Sequence, residues 1–218
     1  MLNKLLSQQG LSNCSLPVTF PPERREFLFF CVNYLSAQAL TWCGLFLCHR
    51  LHSTNGPSMI LFLDTEFSDL NFAELISVGL VAEDGRQLYF ELDNIGPSIC
   101  STFTREIVWP LLSGPRLSPI RAADALKAFL APYGRKITLW TDAPRYDVEL
   151  LKPFLRKDLS LHIAVPSFED DAEAACYAAA QQQAFDSGLR RHHALDDALA
   201  ARHAWMALVR YRAQVLND

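Results

Sequence analysis

The sequence predicts an α/β domain in which a mixed sheet of five strands is flanked by helices. Three observations lead to this fold class. An uncharged apolar run at residues 60–63 has the length of a buried strand, and two further strand-like segments follow it. From about residue 102 onward, helical and strand-like segments alternate to the end of the chain. Three leading strands followed by this alternation are typical of a mixed sheet covered by helices.

The first strand, in the stretch MILFLDTEF at residues 59–67, ends in two acids. Side chains two residues apart on a strand point to the same face, so Asp64 and Glu66 are expected to project side by side. Two neighbouring carboxylates repel each other and are costly to desolvate unless a cation lies between them. Magnesium prefers such oxygen ligands. The alternative is a strand that runs into solvent and ends in two exposed acids, because this short motif is weak alone.

The next elements are two strands and a short helix. Residues 74–82 and 87–92 are predicted to pair through a hairpin turn at 83–86. Antiparallel pairing with the first strand would bring Glu74 close to the two acids. A short helix is expected within residues 102–112.

The second half of the chain alternates between helices and strands. The predicted order is helix 119–130 with Ser118 as its N-cap, strand 137–140, helix 146–155, strand 159–165, and helices 169–185 and 194–214. Asp147 stands at the start of the helix that follows the fourth strand. A carboxylate is favoured there by the helix dipole alone, so a structural role for Asp147 is the alternative to a role in a site.

The last helix begins in the segment RRHHALDDA at residues 190–198. Small residues share one face of this helix with Asp197, which is therefore expected to point inward, whereas Asp196 is expected to face solvent. His192 and His193 lie within a turn of Asp197. A histidine before a helix is usually a surface or capping residue. Next to an inward-facing carboxylate, however, an imidazole that titrates near neutral pH is a candidate general base.

These residues resemble the DEDDh group of 3′-5′ exonucleases, which have a ribonuclease H-like fold. The pattern is Asp64-x-Glu66, then Asp147 before a leucine-rich helix, then His192 and Asp197 separated by four residues. The resemblance covers nearly all of residues 59–218. The segments DTEF and ELISVGLVAEDGR, with the later pairs Leu-Trp and Tyr-Asp, are most similar to the small exoribonucleases known from mycobacteria.

The resemblance implies a function and a set of ligands. Asp64, Glu66, Asp147 and Asp197 would bind two divalent cations, Mg²⁺ or Mn²⁺. His192 would act as the general base, with His193 as its competitor. The substrate would be a single-stranded nucleic acid with a free 3′ end, RNA being favoured, and the products would be nucleoside 5′-monophosphates.

Three further positions bear on the substrate. Phe67 is expected either to stack on the terminal base or to pack in the core. Glu74 is expected to accept a hydrogen bond from an exocyclic amino group of a base. Many family members carry Asn four residues before the second-motif Asp. Here that residue is Ala143, so the contact made by Asn is absent or is replaced by Asp142.

Other functions stay open at this point. The chain has a net charge of −4, and residues 59–218 alone carry 16 Lys and Arg against 22 Asp and Glu, or −6, so weak non-specific binding to duplex is expected. An exonuclease acting on single-stranded DNA and a catalytically silent nucleic-acid-binding module are the alternatives. A homodimer is also left open.

Residues 1–58 differ in character from residues 59–218, which form the predicted exonuclease domain. The 22 residues from 27 to 48 carry no charge and are long enough to span a membrane, although polar residues interrupt them. The extension is interpreted as an over-extended start, a membrane anchor or a folded accessory helix. No cysteine pair forms C-x-x-C, which predicts reduced thiols, no zinc site and a cytoplasmic location, with a membrane-anchored protein as the alternative.

Overall fold

The computed structural model describes residues 58–217, whose centre is a six-stranded mixed sheet. The strands are β1 (Met59–Phe67), β2 (Leu75–Ala82), β3 (Gln87–Leu92), β4 (Arg116–Leu117), β5 (Lys136–Trp140) and β6 (Ser160–Ala164). They lie in the order β4-β3-β2-β1-β5-β6. Strand β1 is antiparallel to β2 and parallel to β5, so the predicted mixed sheet flanked by helices is confirmed.

The sheet has one strand more than the five that the sequence predicts. The additional strand, β4, pairs in parallel with the end of β3 through Glu91 and Arg116 and through Leu92 and Leu117. Two residues are too short to show a periodic pattern, and β4 exists because the edge of β3 offers its backbone groups to it.

Four α-helices cover the sheet within the described residues. They are α1 (Pro119–Leu130), α2 (Pro144–Leu151), α3 (Asp171–Asp186) and α4 (Ala194–Val215). Ser118 caps α1 as predicted, its side chain accepting a hydrogen bond from the Arg121 amide. The helix predicted within residues 102–112 is instead a π-turn at Thr104–Val108 followed by a 3₁₀ turn at Trp109–Leu111. Proline in this segment has no N–H to continue an α-helix.

Alternation along β1 assigns its side chains to two layers. Leu61 and Leu63 pack in the core that contains α1 and α2, whereas Phe62 packs against Ala198 of α4. Because strand side chains alternate, Asp64 and Glu66 continue the face of Phe62, which is the face that α4 covers.

A glycine in β2 allows α4 to begin directly against the sheet. Gly79 is the partner of Asp64 in the β1–β2 ladder. A Cβ atom at Gly79 would lie 2.2 Å from the carbonyl carbon and oxygen of Ala194, the first residue of α4. Only a residue without a side chain permits this approach. Gly79 thereby brings the start of α4 over the acidic end of β1.

The localisation predicted from the sequence needs a correction. Across residues 58–217, no helix has both the length and the apolar character required to cross a membrane. The predicted extension at residues 1–58, with its uncharged segment at 27–48, lies outside the described residues apart from Ser58. The localisation, including its membrane-anchored alternative, is therefore withdrawn.

Candidate active site

Three carboxylates from β1 and α4 meet at one end of the sheet. One oxygen atom from each of Asp64, Glu66 and Asp197 lies within 4.8 Å of the other two. Asp197 lies in the first turn of α4, where its Oδ2 accepts a hydrogen bond from the His193 amide at 3.2 Å. The structure thus brings together acids that are 131 residues apart in the sequence.

A second group of acids shares Asp64 with the first. Oxygen atoms of Asp64, Asp142 and Asp147 also lie within 4.8 Å of one another. Asp147 is only 1% exposed, and its Oδ1 accepts hydrogen bonds from the amide (3.1 Å) and the hydroxyl (2.6 Å) of Thr65. Its Oδ2 accepts a hydrogen bond from the Thr141 hydroxyl. Asp147 therefore binds the strands beside its helix and does not cap that helix.

Sequence reasoning gave Asp142 no ligand role and missed both threonines. Asp142 is exposed and directly follows Thr141, the residue after β5. Because β1 and β5 are parallel neighbours, their carboxyl ends meet at one edge, where Thr65 and Thr141 flank the same carboxylate. The sequence signal that could have identified the two threonines is a hydroxyl residue at the end of each of two strands that lie side by side in parallel.

Four of these acids, Asp64, Glu66, Asp147 and Asp197, have pKa values above those of ordinary carboxyls. Burial, followed by the charges of Asp197 and Asp147, raises the pKa of Glu66 to about 8. Burial likewise raises the pKa of Asp147 and of Asp197 to about 6. The pKa of Asp64 is raised well above its usual value by burial and by the surrounding acids.

This mutual repulsion has a physical consequence. Carboxylates that are partly desolvated and repel one another gain stability when a cation lies between them. Hard divalent cations take oxygen ligands of this kind. The acidic cluster therefore fits the binding of a divalent metal.

The two candidate histidines have different surroundings. His192 is exposed, has a left-handed backbone with φ of 62°, and meets the ring of Phe103 edge-on at 5.1 Å. His193 is buried against Tyr89, with ring centroids 4.6 Å apart. Its Nε2 lies 3.0 Å from Arg190, and its Nδ1 lies 3.4 Å from Oδ1 of Asp196. Both ring nitrogens of His193 are thus engaged inside the protein, and burial lowers its pKa.

The prediction that Asp196 faces solvent is wrong. Asp196 is 8% exposed, and its Oδ2 accepts hydrogen bonds from the amide (3.0 Å) and Nε (2.6 Å) of Arg190. The segment before α4 folds back over the helix through left-handed residues at Gly188 and His192. This turn places Arg190 over a helix position that periodicity alone assigns to the outer face.

The two predicted substrate-binding residues lie outside the acid groups. Phe67 is half-buried and stacks on Tyr146, with ring centroids 4.8 Å apart and planes 15° apart. Glu74 is exposed, and its carbonyl accepts a hydrogen bond from the Ser68 amide at 3.0 Å. The Glu74 backbone therefore lies next to Ser68, the residue after β1. The Glu74 carboxylate belongs to neither group of acids. Contacts of Phe67 and Glu74 with a substrate stay predictions.

Comparison with known proteins identifies relatives of this chain. No family model matches it. It is similar to two curated proteins named 3′-5′ exoribonuclease, both from Mycobacterium tuberculosis, one from strain CDC 1551 and one from strain H37Rv. In each case the identity is 33% over 116 residues, which cover 50% of this chain and 69% of the relative.

Proposed function

Because the chain belongs to the family of these 3′-5′ exoribonucleases, we propose that it hydrolyses single-stranded RNA from the 3′ end in a reaction that needs two divalent cations. The products are nucleoside 5′-monophosphates, released one at a time. The observation that supports this proposal is the position of Asp64 in two overlapping groups of carboxylates. Two cation positions that share one ligand require such an arrangement.

Each acid has a role in this proposal. Asp64, Glu66 and Asp197 hold one cation, and Asp64 and Asp147, with Asp142, hold the other. Mg²⁺ or Mn²⁺ ions held by these acids would stabilise the attacking and the leaving oxygen of an in-line displacement at phosphorus. The hydroxyls of Thr65 and Thr141 keep the Asp147 carboxylate oriented.

His192 is the general base of the proposed reaction. It removes a proton from the attacking water as the water oxygen forms a bond to phosphorus. The bond between phosphorus and the 3′ oxygen of the preceding nucleotide breaks, and this oxygen takes a proton from solvent water, which leaves a shortened RNA with a new 3′ hydroxyl. The exposure of His192, together with the internal contacts of His193, supports this choice.

The remaining residue assignments concern the base of the terminal nucleotide. One face of Phe67 is covered by Tyr146, and we assign the other to stacking on that base. Glu74 accepts a hydrogen bond from an exocyclic amino group. That the protein forms a homodimer stays a prediction, and light scattering on the purified protein tests it.

The proposal is tested with RNA and DNA of matched sequence, labelled at the 5′ end. With Mg²⁺ or Mn²⁺ we expect single-nucleotide shortening of RNA and release of 5′-monophosphates, and no shortening with EDTA. A 3′-phosphorylated RNA controls for the need of a free 3′ hydroxyl, and Asp64→Asn controls for a contaminating nuclease.

Each other outcome points to a different function. Faster shortening of DNA identifies a single-stranded DNA exonuclease. Binding of RNA without hydrolysis identifies a catalytically silent binding module. Activity that survives EDTA contradicts the role of the acidic cluster.

A further inference from the structure

We propose that the ion pair between Arg190, which is exposed, and Asp196, which is buried, positions His192 in the site. This inference rests on the proposed function, because it concerns the residue to which we assign the general base. Arg190 and Asp196 flank His192 in the sequence, and neither belongs to the two groups of acids. Their contacts form a clamp on the segment that carries His192.

The first half of the clamp is Asp196. It is 8% exposed, and its Oδ2 accepts hydrogen bonds from both the amide and Nε of Arg190, at 3.0 and 2.6 Å. Because the Asp196 carboxylate binds both the amide and the side chain of Arg190, it holds the backbone of Arg190 as well as its guanidinium. The guanidinium also donates to the Leu111 carbonyl at 3.4 Å, which ties the segment to the 3₁₀ turn.

The second half of the clamp holds the other side of His192. Nη2 of Arg190 lies 3.0 Å from Nε2 of His193, whose ring packs on Tyr89 of β3. The Tyr89 hydroxyl donates to Oε1 of Glu91 at 3.0 Å. Glu91 is 4% exposed and also accepts a hydrogen bond from the Gly114 amide at 2.6 Å. His193 is thereby fixed to the sheet.

His192 lies between these two fixed points in an unfavourable backbone conformation. Its φ of 62° is rare for a residue with a Cβ atom and persists only where surrounding contacts hold it. Its exposed side chain has one aromatic neighbour, Phe103, and no hydrogen bond in the described residues positions its ring. The clamp therefore constrains the segment that carries the His192 imidazole. Arg190 and Asp196 are positioning residues, since they act through His192.

The first test replaces Asp196 with the isosteric asparagine. We expect Asp196→Asn to lower kcat for RNA by about 10- to 100-fold, because a catalytic group displaced by about 1 Å loses that much rate. KM is expected to stay near the wild-type value. Arg190→Lys is expected to act in the same direction, since an ammonium group cannot reproduce the contacts of the guanidinium.

The matched control is an ion pair of similar burial away from the site. Glu173 on α3 is 4% exposed and accepts hydrogen bonds from Nε and Nη2 of Arg212 on α4, at 2.7 and 2.6 Å. Glu173→Gln is expected to lower the melting temperature but to leave kcat unchanged. If both variants lower kcat in proportion to their loss of stability, the proposed clamp is only structural and the inference fails.

A double-mutant cycle decides whether Asp196 acts through His192. In a His192→Ala background, Asp196→Asn is expected to cause no further loss of the residual kcat, whereas independent effects would multiply. A full further loss, or a wild-type kcat in Asp196→Asn, overturns the inference. If Asp196→Asn does not fold, Arg190→Lys takes its place in the cycle and the same criteria apply. Failure of the proposed function looks different, because His192→Ala would then retain activity or the wild type would not hydrolyse RNA.

Discussion

Thr65 on β1 donates two hydrogen bonds to a single oxygen of Asp147 on α2, 82 residues later in the chain. The amide is 3.1 Å from Oδ1 of Asp147 and the hydroxyl is 2.6 Å from it. Thr141 binds the other oxygen from the end of the neighbouring strand. The orientation of the Asp147 carboxylate is therefore set by the fold, so the acids on β1 and α2 meet in a fixed geometry.

The first prediction concerns the Thr65 hydroxyl. Thr65→Val removes this donor while keeping the amide and the shape of the side chain. We expect the concentration of Mg²⁺ or Mn²⁺ needed for half-maximal activity to rise by about 10- to 100-fold, as is typical when a partner that orients a metal ligand is lost. Thr65→Ser keeps the hydroxyl and is expected to resemble the wild type. An unchanged metal requirement in Thr65→Val would show that the hydroxyl does not support the site.

The second prediction concerns the contact between Gly79 and α4. Gly79→Ala places a Cβ atom 2.2 Å from the backbone of Ala194, so α4 must move away from the sheet. We expect the free energy of unfolding to fall by about 1–3 kcal/mol or more. Activity is also expected to fall, because Asp197 moves with α4. Chemical denaturation measures the first effect and RNA hydrolysis the second.

Gly96 supplies the matched control for this substitution. A Cβ atom there would meet its nearest neighbour, Oγ of Ser98, only at 4.0 Å. Gly96→Ala is therefore expected to change the free energy of unfolding by less than about 0.5 kcal/mol. Equal effects of the two substitutions would contradict the close approach of α4.

The site shows which features could be predicted from local sequence. Asp64 and Glu66 share a face because alternation is a property of any strand, and Asp197 faces inward because helix periodicity is equally local. Asp196 could not be predicted, because its burial depends on a chain reversal through His192 and Gly188 before the helix. Such reversals leave no periodic signal.

The missed features share a non-local cause. The participation of Asp142 depends on β5 lying next to β1, which is a fact of sheet order and not of the Asp142 neighbourhood in sequence. The short strand β4 forms for the same kind of reason, since only the edge of β3 gives Arg116 and Leu117 a partner. Gly79 looks like any glycine within an apolar strand until α4 is placed against it.

The third prediction concerns the stability of the metal-free protein. Burial raises the pKa of Glu66 to about 8 and that of Asp147 and Asp197 to about 6, whereas unfolded carboxyls titrate near about 4. The folded state therefore binds protons more tightly than the unfolded state in this window. The contribution of these acids to stability is present in full below about pH 4 and is lost as pH rises through about 6 to 8.

Thermal unfolding in EDTA between pH 5 and pH 9 measures this effect. We expect the melting temperature to fall as pH rises, and Glu66→Gln to flatten the decrease near pH 8. Saturating Mg²⁺ is expected to reverse it, since a ligand that binds only the folded state stabilises that state. A metal-free protein whose melting temperature rises between pH 6 and pH 8 would contradict the raised pKa values.

The fourth prediction concerns base preference and Glu74. If the Glu74 carboxylate accepts a hydrogen bond from an exocyclic amino group, RNA ending in adenine is hydrolysed faster than RNA ending in uracil, which has no such group. Glu74→Ala is expected to reduce this difference with little change in the rate on oligo(U). Glu74 directly precedes β2, whereas Glu83 directly follows it. Glu83→Ala is therefore the control variant. A preference that Glu74→Ala leaves intact rules out the contact.

The last prediction separates the two histidines by the property that each substitution disturbs. His192 is exposed, so His192→Ala is expected to remove nearly all turnover with little change in melting temperature or in binding of Mn²⁺. His193 packs on Tyr89 and contacts Arg190, so His193→Ala is expected to lower the melting temperature because it leaves a cavity and removes one contact of the Arg190 guanidinium. Its remaining activity is expected to exceed that of His192→Ala when both are assayed well below their melting temperatures. If His192→Ala hydrolyses RNA at the wild-type rate, the proton of the attacking water goes to another group and the exposed imidazole is not the base.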